Sequence, residues 1–316
     1  MNLGVRTQQS ADGPEVFVTR FYRMLKLCSL GASVLILTCC IFATVGKSTQ
    51  SGDNPHPITL AWEDDILTIH HPGIPGGKIE TWYLEAYCRA GSTDRKWDDT
   101  LISHRTELVS INQERTVLRL RCSLSDGVTV DHVLRAVPDG VTVEVIARNH
   151  TDTASSAHWA QPCTRVGTFT GTGASATKDK YAYLKRSFIF QDGDEEPDFM
   201  PTDDWSTKAR YVPGQVWCPS EVPRTDVNPR PLNPRVPSLG LIGCVSADEK
   251  WILAMAWEPY QELFQGVIRC LHSDFRIGGL APGEEKLIRG RFYLLRNDFP
   301  ALVDRYRKEF PVQSNR

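Results

Sequence analysis

The chain has 316 residues, a formal net charge of −2, 41% hydrophobic residues and 23% charged residues. This length allows a large buried core, and the composition is that of an ordinary globular protein, which excludes a wholly disordered chain. A general nucleic-acid binder needs an excess of basic residues to neutralise phosphates, so the near-neutral charge excludes nucleic acid as a general partner.

An uncharged run at residues 27–46 follows a basic stretch and begins shortly after Met24. Its length lies where the apolar part of a signal peptide and a minimal membrane-spanning helix overlap. We therefore expect residues 1–23 to be a polar extension upstream of the true start, and 24–47 to be a signal peptide or a single-pass anchor. With either alternative, we expect the rest of the chain to be exported to the periplasm, the cell envelope or the extracellular space. The chain would contact the membrane only through residues 27–46, and only if this segment is uncleaved.

Residues 48–57 form a polar linker, after which short alternating segments begin. The segments ITLAW and ILTIH flank the acidic turn Glu63-Asp64-Asp65, and this arrangement predicts a hairpin. Comparable segments continue towards the C-terminus, so we expect residues 58–316 to form a single domain built mainly from strands.

The stretch 79–89 predicts a long strand, because its side chains alternate with a period of two residues. The residues predicted to face the core are Trp82, Leu84, Ala86 and Cys88. The residues of the opposite face combine aromatic rings with charged groups and are Tyr83, Glu85, Tyr87 and Arg89. Such rings stack on the C–H faces of a sugar while the charged groups bind its hydroxyls. The alternative is an ordinary solvent-facing strand.

An antiparallel meander is predicted between residues 117 and 147. Asp126-Gly127 and Asp139-Gly140 separate its alternating runs, and Asp-Gly between such runs is a strong hairpin signal. The apolar face of each run specifies the register, because a slip by one residue would turn that face to solvent.

Two further stretches hold candidate binding groups. His158, Gln161 and Arg165 lie close together along the chain. The proline-rich stretch 211–240 has little periodicity, and so long an irregular segment in a compact domain is usually functional or wraps a surface. Its Trp217 is predicted to line a groove.

The stretch 251–295 predicts three strands joined by two polar loops, the second of which opens with His272-Ser273-Asp274-Phe275-Arg276. His272 and Asp274 share one side if the chain is extended, which fits an acid–base pair or two metal ligands. The alternative is a strand-end histidine bonded to a loop backbone.

A terminal helix is predicted at residues 298–310. Asp298 is placed to cap its N-terminus, and Pro300 lies in its first turn. Its apolar stripe consists of Leu302, Val303, Tyr306 and Phe310.

Standard catalytic motifs are absent from the sequence, which contains no GxSxG elbow, HExxH pair, P-loop or kinase set. Six cysteines follow the run 27–46, and an even number permits three disulfides in an oxidising compartment, the alternative being buried free thiols. No CxxC pair occurs and the acidic stretch 191–204 lacks EF-hand spacing, so no metal and no cofactor is predicted.

The turn Leu280-Ala281-Pro282-Gly283-Glu284 before a long final strand recurs in large β-sandwich domains of carbohydrate-active proteins. Together with the meander and the His272 stretch, it makes residues 58–310 resemble the galactose-mutarotase-like supersandwich. LEAYCRAGSTDRKWDD, HWAQPCTRVGTFTG and ELFQGVIRCLHSDFRIGGLAPGEEK also resemble uncharacterised exported proteins of planctomycete-type bacteria, a group with no activity to carry over. The resemblance implies a mostly-β fold, a large antiparallel β-sandwich with a C-terminal amphipathic helix.

Mutarotases use a histidine and a glutamate on the concave sheet to open and close a sugar ring, but their catalytic motifs do not align with this chain. We expect an exported protein that binds or modifies a carbohydrate, with a saccharide or polysaccharide as ligand on the concave sheet. The predicted catalytic residues are His272, Asp274, His158 and Glu85. The predicted substrate-binding residues are Tyr83, Tyr87, Arg89, Gln161, Arg165, Arg276 and Trp217. The alternative is a non-catalytic structural or interaction module of the cell envelope.

Overall fold

The computed structural model describes residues 57–173, 182–192, 196–199, 216–227, 232–266 and 269–311. The predicted extension, signal or anchor segment and nearly all of the linker lie outside these residues, as do 211–215 and 228–231 of the proline-rich stretch. Among the helices of the described residues, none is long and apolar enough to cross a membrane.

Strands dominate the described part of the chain, with short helical elements between and after them. In chain order the strands are β1 Thr59–Glu63, β2 Ile66–His70, β3 Lys78–Arg89, β4 Leu101–Ile102, β5 His104–Ile111, β6 Val117–Leu124, β7 Val128–Val137, β8 Gly140–Asn149, β9 Ala157–Arg165, β10 Ser187–Gln191, β11 Asp198–Phe199, β12 Pro237–Val245, β13 Trp251–Glu258, β14 Tyr260–Gly266, β15 Cys270–Arg276 and β16 Glu285–Arg296. The helical elements are α1 Trp97–Thr100, a 3-10 helix Ala182–Arg186 and α2 Phe299–Glu309.

These strands form two antiparallel sheets. The first sheet has the order β1-β2-β3-β9-β15-β14, with β4 paired to the end of β3. The second sheet has the order β11-β10-β12-β13-β16-β8-β7-β6-β5. One large apolar cluster contains side chains from both sheets, as expected when two sheets pack face to face. The predicted mostly-β antiparallel sandwich is confirmed.

Local turn chemistry forms the predicted hairpins. Asp64 and Asp65 both adopt positive φ between β1 and β2, the conformation that a tight hairpin turn requires. Gly127 between β6 and β7 and Gly140 at the start of β8 also have positive φ. A Cβ on Gly140 would lie 1.9 Å from the carbonyl oxygen of Phe292, so only glycine fits this turn.

The faces of β3 differ from the prediction. Tyr83 and Tyr87 are fully buried between the sheets, and their hydroxyls contact the two ring nitrogens of His132 on β7 at 3.2 and 3.1 Å. Trp82, predicted to face the core, is instead 37% exposed. Alternation therefore holds for these residues, but the buried face is the opposite of the predicted one. The pairing of β3 with β9 shifts register between Trp82 and Ala86, and this bulge turns Glu85 away from the side of the two tyrosines.

The stretch 251–295 also differs from the prediction. It forms four strands instead of three, β13 to β16, and the residues predicted to open a polar loop form β15. Leu271 and Phe275 of β15 belong to the core between the sheets. His272 and Asp274 therefore share the opposite face. The loop assignment is wrong, whereas the shared side of His272 and Asp274 is confirmed.

The terminal helix α2 closes the second sheet from outside. Asp298 accepts a hydrogen bond from the amide of Ala301 at 3.0 Å, as predicted for its cap. The apolar stripe of α2 packs with Phe188, Leu241 and other side chains of the second sheet in a separate cluster. The stripe predicted for this helix is confirmed as its buried face.

His132 gives the fold a pH dependence. Burial lowers the pKa of His132 from 6.5 to about 3. Below pH 6.5 the unfolded chain therefore binds a proton at this residue that the folded chain does not bind. Stability is complete above pH 6.5 and falls as the pH is lowered towards 3. When the pH is lowered from 7 to 5, we expect this residue to lower the free energy of unfolding by about 2 kcal/mol.

Denaturant unfolding of the wild type and of His132→Gln at both pH values measures this contribution. The variant should lose about 2 kcal/mol less than the wild type over this interval. His150→Gln, at an exposed position, should behave as the wild type. An equal pH dependence in the wild type and His132→Gln would contradict the assignment.

Candidate functional site

The first sheet carries its polar side chains on the face turned away from the second sheet. We call this surface the polar face; its main members are Glu85 of β3, Gln161 of β9, His272 and Asp274 of β15, and Glu262 of β14. Ala160, Leu271 and Leu263 of these strands lie in the core. Alternation along each strand therefore directs the neighbouring polar residues outward.

Glu85 and Gln161 form the most accessible part of the polar face. The Gln161 amide donates to a Glu85 carboxylate oxygen at 2.9 Å. Glu85 is half-buried and Gln161 is buried. Trp82 pairs with Cys163 across the strands and leaves its indole partly exposed on the same side. An aromatic ring thus stands beside a hydrogen-bonded acid–amide pair.

His272 lies at the centre of the polar face. Its Nε2 is 3.3 Å from the Sγ of Cys270, and its Nδ1 is 3.8 Å from a carboxylate oxygen of Asp274. The second distance exceeds that of a hydrogen bond, so Asp274 acts on His272 through charge. The Phe264 ring stacks on the imidazole at 4.2 Å with 5° between the planes. This stacking holds the imidazole plane in one orientation.

Charge and burial together shift the pKa values of this group. Burial alone raises the pKa of the Cys270 thiol, but Cys163 and His272 lower it to about 5. Burial alone lowers the pKa of His272, but the charges of Cys270 and Asp274 raise it well above its usual value. Burial raises the pKa of Asp274 to about 7, against the opposing charge of His272. Cys270 and His272 therefore shift each other's pKa in opposite directions.

Asp274 and Glu262 lie directly opposite each other on β15 and β14, and both are fully buried. Both carboxylate oxygens of Asp274 and the side-chain oxygen of Gln161 have no hydrogen-bond partner among the described residues. A buried polar atom without a partner costs about 1–3 kcal/mol. Such atoms gathered on one face indicate a surface arranged for a polar ligand.

A second polar group lies at the other end of the same strands. Asp226 receives a hydrogen bond from the Arg276 guanidinium at 3.1 Å and lies 3.6 Å from Nδ1 of His158. The side chain of Gln261 also bonds to Arg276 and to the backbone oxygen of Asp226. Because Asp226 belongs to the segment 216–227, these contacts fasten that segment to the first sheet.

The structure brings together four of the predicted catalytic and binding residues, Glu85, Gln161, His272 and Asp274, on the polar face. It brings His158 and Arg276 together at Asp226. Other predicted binding residues lie elsewhere. Tyr83 and Tyr87 are in the core, Arg89 donates to the backbone oxygen of Leu101, Arg165 is exposed at the end of β9, and Trp217 is buried in the core with its backbone paired to Leu263.

Sequence reasoning missed several residues of the site: Trp82, Cys163, Asp226, Glu262 and Cys270. Cys163 and Cys270 were considered only as disulfide or core cysteines. Glu262 had no local signal, because the strand YQELFQG also contains Gln261 and Gln265. Asp226 had none either, since its partners lie far away in the chain.

The arrangement offers carboxylates, an imidazole and thiols on one buried face, with an open border at Trp82 and Glu85. Carboxylates and imidazole can accept and transfer protons. Cys163, Cys270 and His272 place three ligand atoms within 4.8 Å of one another, a set with the chemistry to hold a metal ion.

No protein-family profile and no curated protein sequence matches this chain. Among solved structures, this chain is similar to a candidate aldose 1-epimerase from Escherichia coli K12. The two sequences are 12% identical, the match covers 76% of this chain and 99% of that chain, and the TM-score is 0.41. A galactose mutarotase-like protein from Lactobacillus casei ATCC 334 shows 8% identity, coverage of 75% and 100%, and a TM-score of 0.35. A galactose mutarotase related enzyme from Lactobacillus acidophilus shows 8% identity, coverage of 75% and 97%, and a TM-score of 0.35.

Arg276 should control how firmly the segment 216–227 is held. Arg276→Met removes the partner of the buried Asp226 carboxylate, and an unpaired buried charge is strongly unfavourable. We expect the amides of this segment to exchange hydrogen at least about tenfold faster, since a loss of 1.4 kcal/mol is a factor of ten.

Hydrogen exchange followed by mass spectrometry measures this effect in each peptide. Arg165→Met, in the neighbouring strand β9 at an exposed position, is the matched control and should leave exchange unchanged. Unchanged exchange of 216–227 in Arg276→Met would show that Asp226 does not fasten the segment.

Proposed function

We propose that the protein is exported and binds a saccharide on the polar face, with Trp82 stacking on the sugar ring and the Glu85–Gln161 pair binding its hydroxyls. The observation that carries this proposal is the exposed indole beside a half-buried acid–amide pair on one face of a sheet. Sugars present apolar C–H faces and polar edges together, so an aromatic ring next to planar polar groups matches both parts.

Unpartnered polar atoms further inside support the same ligand class. Asp274 and Gln161 contribute acceptor atoms that have no partner among the described residues. A polyhydroxylated ligand supplies several hydroxyl donors at once, and hydrogen bonds to a charged acceptor are worth about 1.5–3 kcal/mol each. The uncharged run 27–46 supports export, and the proposal places the saccharide outside the cytoplasm.

Substitution of the accessible pair should weaken saccharide binding. A glycan array first identifies the bound saccharide, and calorimetry then measures its affinity. Glu85→Gln removes a charge-assisted hydrogen bond of about 1.5–3 kcal/mol, so we expect roughly tenfold to a hundredfold weaker binding. Trp82→Ala should weaken binding by roughly tenfold through loss of the ring.

Phe199→Ala is the matched control, because Phe199 is an exposed aromatic on the second sheet. Its affinity should equal that of the wild type. If Trp82→Ala and Glu85→Gln also bound as the wild type, the polar face would not be the saccharide site. If no saccharide bound at all, the chain would instead be the non-catalytic module of the cell envelope.

The Glu85 carboxylate would also transfer protons to and from a bound sugar. Glu85 lies at the accessible border, where a general acid or base must reach its substrate directly. Exchange between the anomers of a bound reducing sugar, followed by nuclear magnetic resonance, tests this step. We expect the wild type to accelerate exchange and Glu85→Gln to lose roughly a hundredfold or more of that acceleration. Equal exchange with and without protein would leave a binding function alone.

A further inference from the structure

Cys163, Cys270 and His272 converge on the polar face. The Sγ atoms of the two cysteines and a ring nitrogen of His272 lie within 4.8 Å of one another, and all three side chains are buried. These residues lie on β9 and β15, which are adjacent strands of one sheet. Rigid paired strands, rather than loops, hold all three ligand atoms.

We propose that these three residues bind a zinc ion, independently of any saccharide. Zinc bonds of about 2.3 Å to sulfur and 2.0–2.1 Å to nitrogen, in tetrahedral geometry, place a sulfur and a nitrogen ligand about 3.5 Å apart. The separation of the Cys270 Sγ and the His272 Nε2 is 3.3 Å. Two thiolates and one imidazole are ligands that zinc prefers.

The second nitrogen of His272 supports this assignment. Its Nδ1 faces a carboxylate oxygen of Asp274 at 3.8 Å. Histidines that bind zinc through one nitrogen almost always present the other to a carboxylate, a carbonyl or water, which fixes the tautomer and the ring orientation. The stacked Phe264 ring further restrains the imidazole.

Gly266 leaves space for a metal ion beside the ligand atoms of Cys270 and His272. It lies opposite Cys270 on β14, and a Cβ at this position would stand 2.1 Å from the Cys270 Sγ and 3.0 Å from the His272 Nε2. Any side chain at Gly266 would therefore push into the ligand atoms. The absence of a Cβ leaves room beside the sulfur and the nitrogen.

Two other interpretations of these residues explain less. A Cys163–Cys270 disulfide would use both sulfurs but would leave the His272–Asp274 pair without a role. A nucleophilic Cys270 would need access for its substrate, whereas Cys270 is only 1% exposed.

Three protein ligands leave a fourth position on zinc, as in catalytic zinc sites. The zinc ion would therefore be a Lewis acid at the saccharide-binding surface.

The test uses the full chain, purified under reducing conditions and stripped of metal with a chelator. Added Zn²⁺ should bind at one ion per chain by metal analysis and raise the melting temperature, because a ligand of the folded state stabilises it. Co²⁺ added alone should produce thiolate-to-cobalt charge-transfer bands and the visible bands of a tetrahedral ion. These wild-type measurements do not depend on any variant folding correctly.

Variants then assign the ligands. Cys163→Ser and Cys270→Ser should each lose the charge-transfer intensity of one thiolate and bind Zn²⁺ at least a hundredfold more weakly. Asp274→Asn should weaken binding roughly tenfold to a hundredfold, as expected for a residue that orients a ligand. Cys88→Ser is the matched control, because Cys88 is a buried cysteine of the same sheet outside the triad, and it should bind Zn²⁺ as the wild type.

Three results would overturn the proposal. The first is the absence of Zn²⁺ binding and of charge-transfer bands in the reduced wild type. The second is a Cys163–Cys270 disulfide in the native protein isolated from the exporting cell. The third is alkylation of Cys270 at the same rate with and without Zn²⁺, which would identify a nucleophile instead.

Discussion

A shift in strand pairing brings Glu85 to the outer face of the first sheet. Between Trp82 and Ala86 the register of β3 against β9 changes. Tyr83 and Tyr87 lie in the core and Trp82 lies on the outer side, so alternation holds for these residues although the buried face is the opposite of the predicted one. Under strict alternation Glu85 would share the inner side with the two tyrosines, but it bonds to Gln161 on the outer side. The register shift thus places this carboxylate on the same side as Trp82 and creates the accessible border of the site.

The polar face also imposes a cost that the rest of the fold must offset. Fully buried carboxylates such as Asp274 and Glu262 are expensive to remove from water unless they gain partners. Part of the compensation is electrostatic, because burial lowers the pKa of His272 but its contacts with Cys270 and Asp274 raise it overall. Another part comes from the segment 216–227, whose apolar residues pack on Phe264. A ligand or metal ion that uses the remaining polar atoms would stabilise the folded chain further.

Local signals in the sequence predict much of the fold. Asp-Gly turns, the positive-φ pair Asp64-Asp65 and the Asp298 cap act over a few residues, so the meander, the first hairpin and α2 follow directly from the chain. Alternation also predicts that His272 and Asp274 share a side. In β3 it does not predict where Glu85 points, because a bulge depends on the partner strand, nor which of the two faces is buried. At β15 a strand is predicted as a loop, because a strand buried on both faces with polar outward residues resembles a loop in composition.

The composition of the site was less predictable because it depends on strand order. Cys163 and Cys270 are far apart in the chain and meet only because β9 lies next to β15. Likewise, Asp226 meets His158 and Arg276 only because the segment 216–227 crosses the sheet. Spacing rules such as CxxC detect metal ligands that share one turn or loop, and they give no signal for ligands that come from neighbouring strands.

The central claim is that the polar face of the first sheet is a single ligand site bordered by Trp82 and Glu85. A crystal structure of the protein with its best-binding saccharide tests this claim most directly. We expect one sugar ring stacked on Trp82, with hydroxyls within hydrogen-bond distance of Glu85 and Gln161. A saccharide bound on the second sheet, or at any surface that leaves Trp82 and Glu85 in contact with solvent, would contradict it.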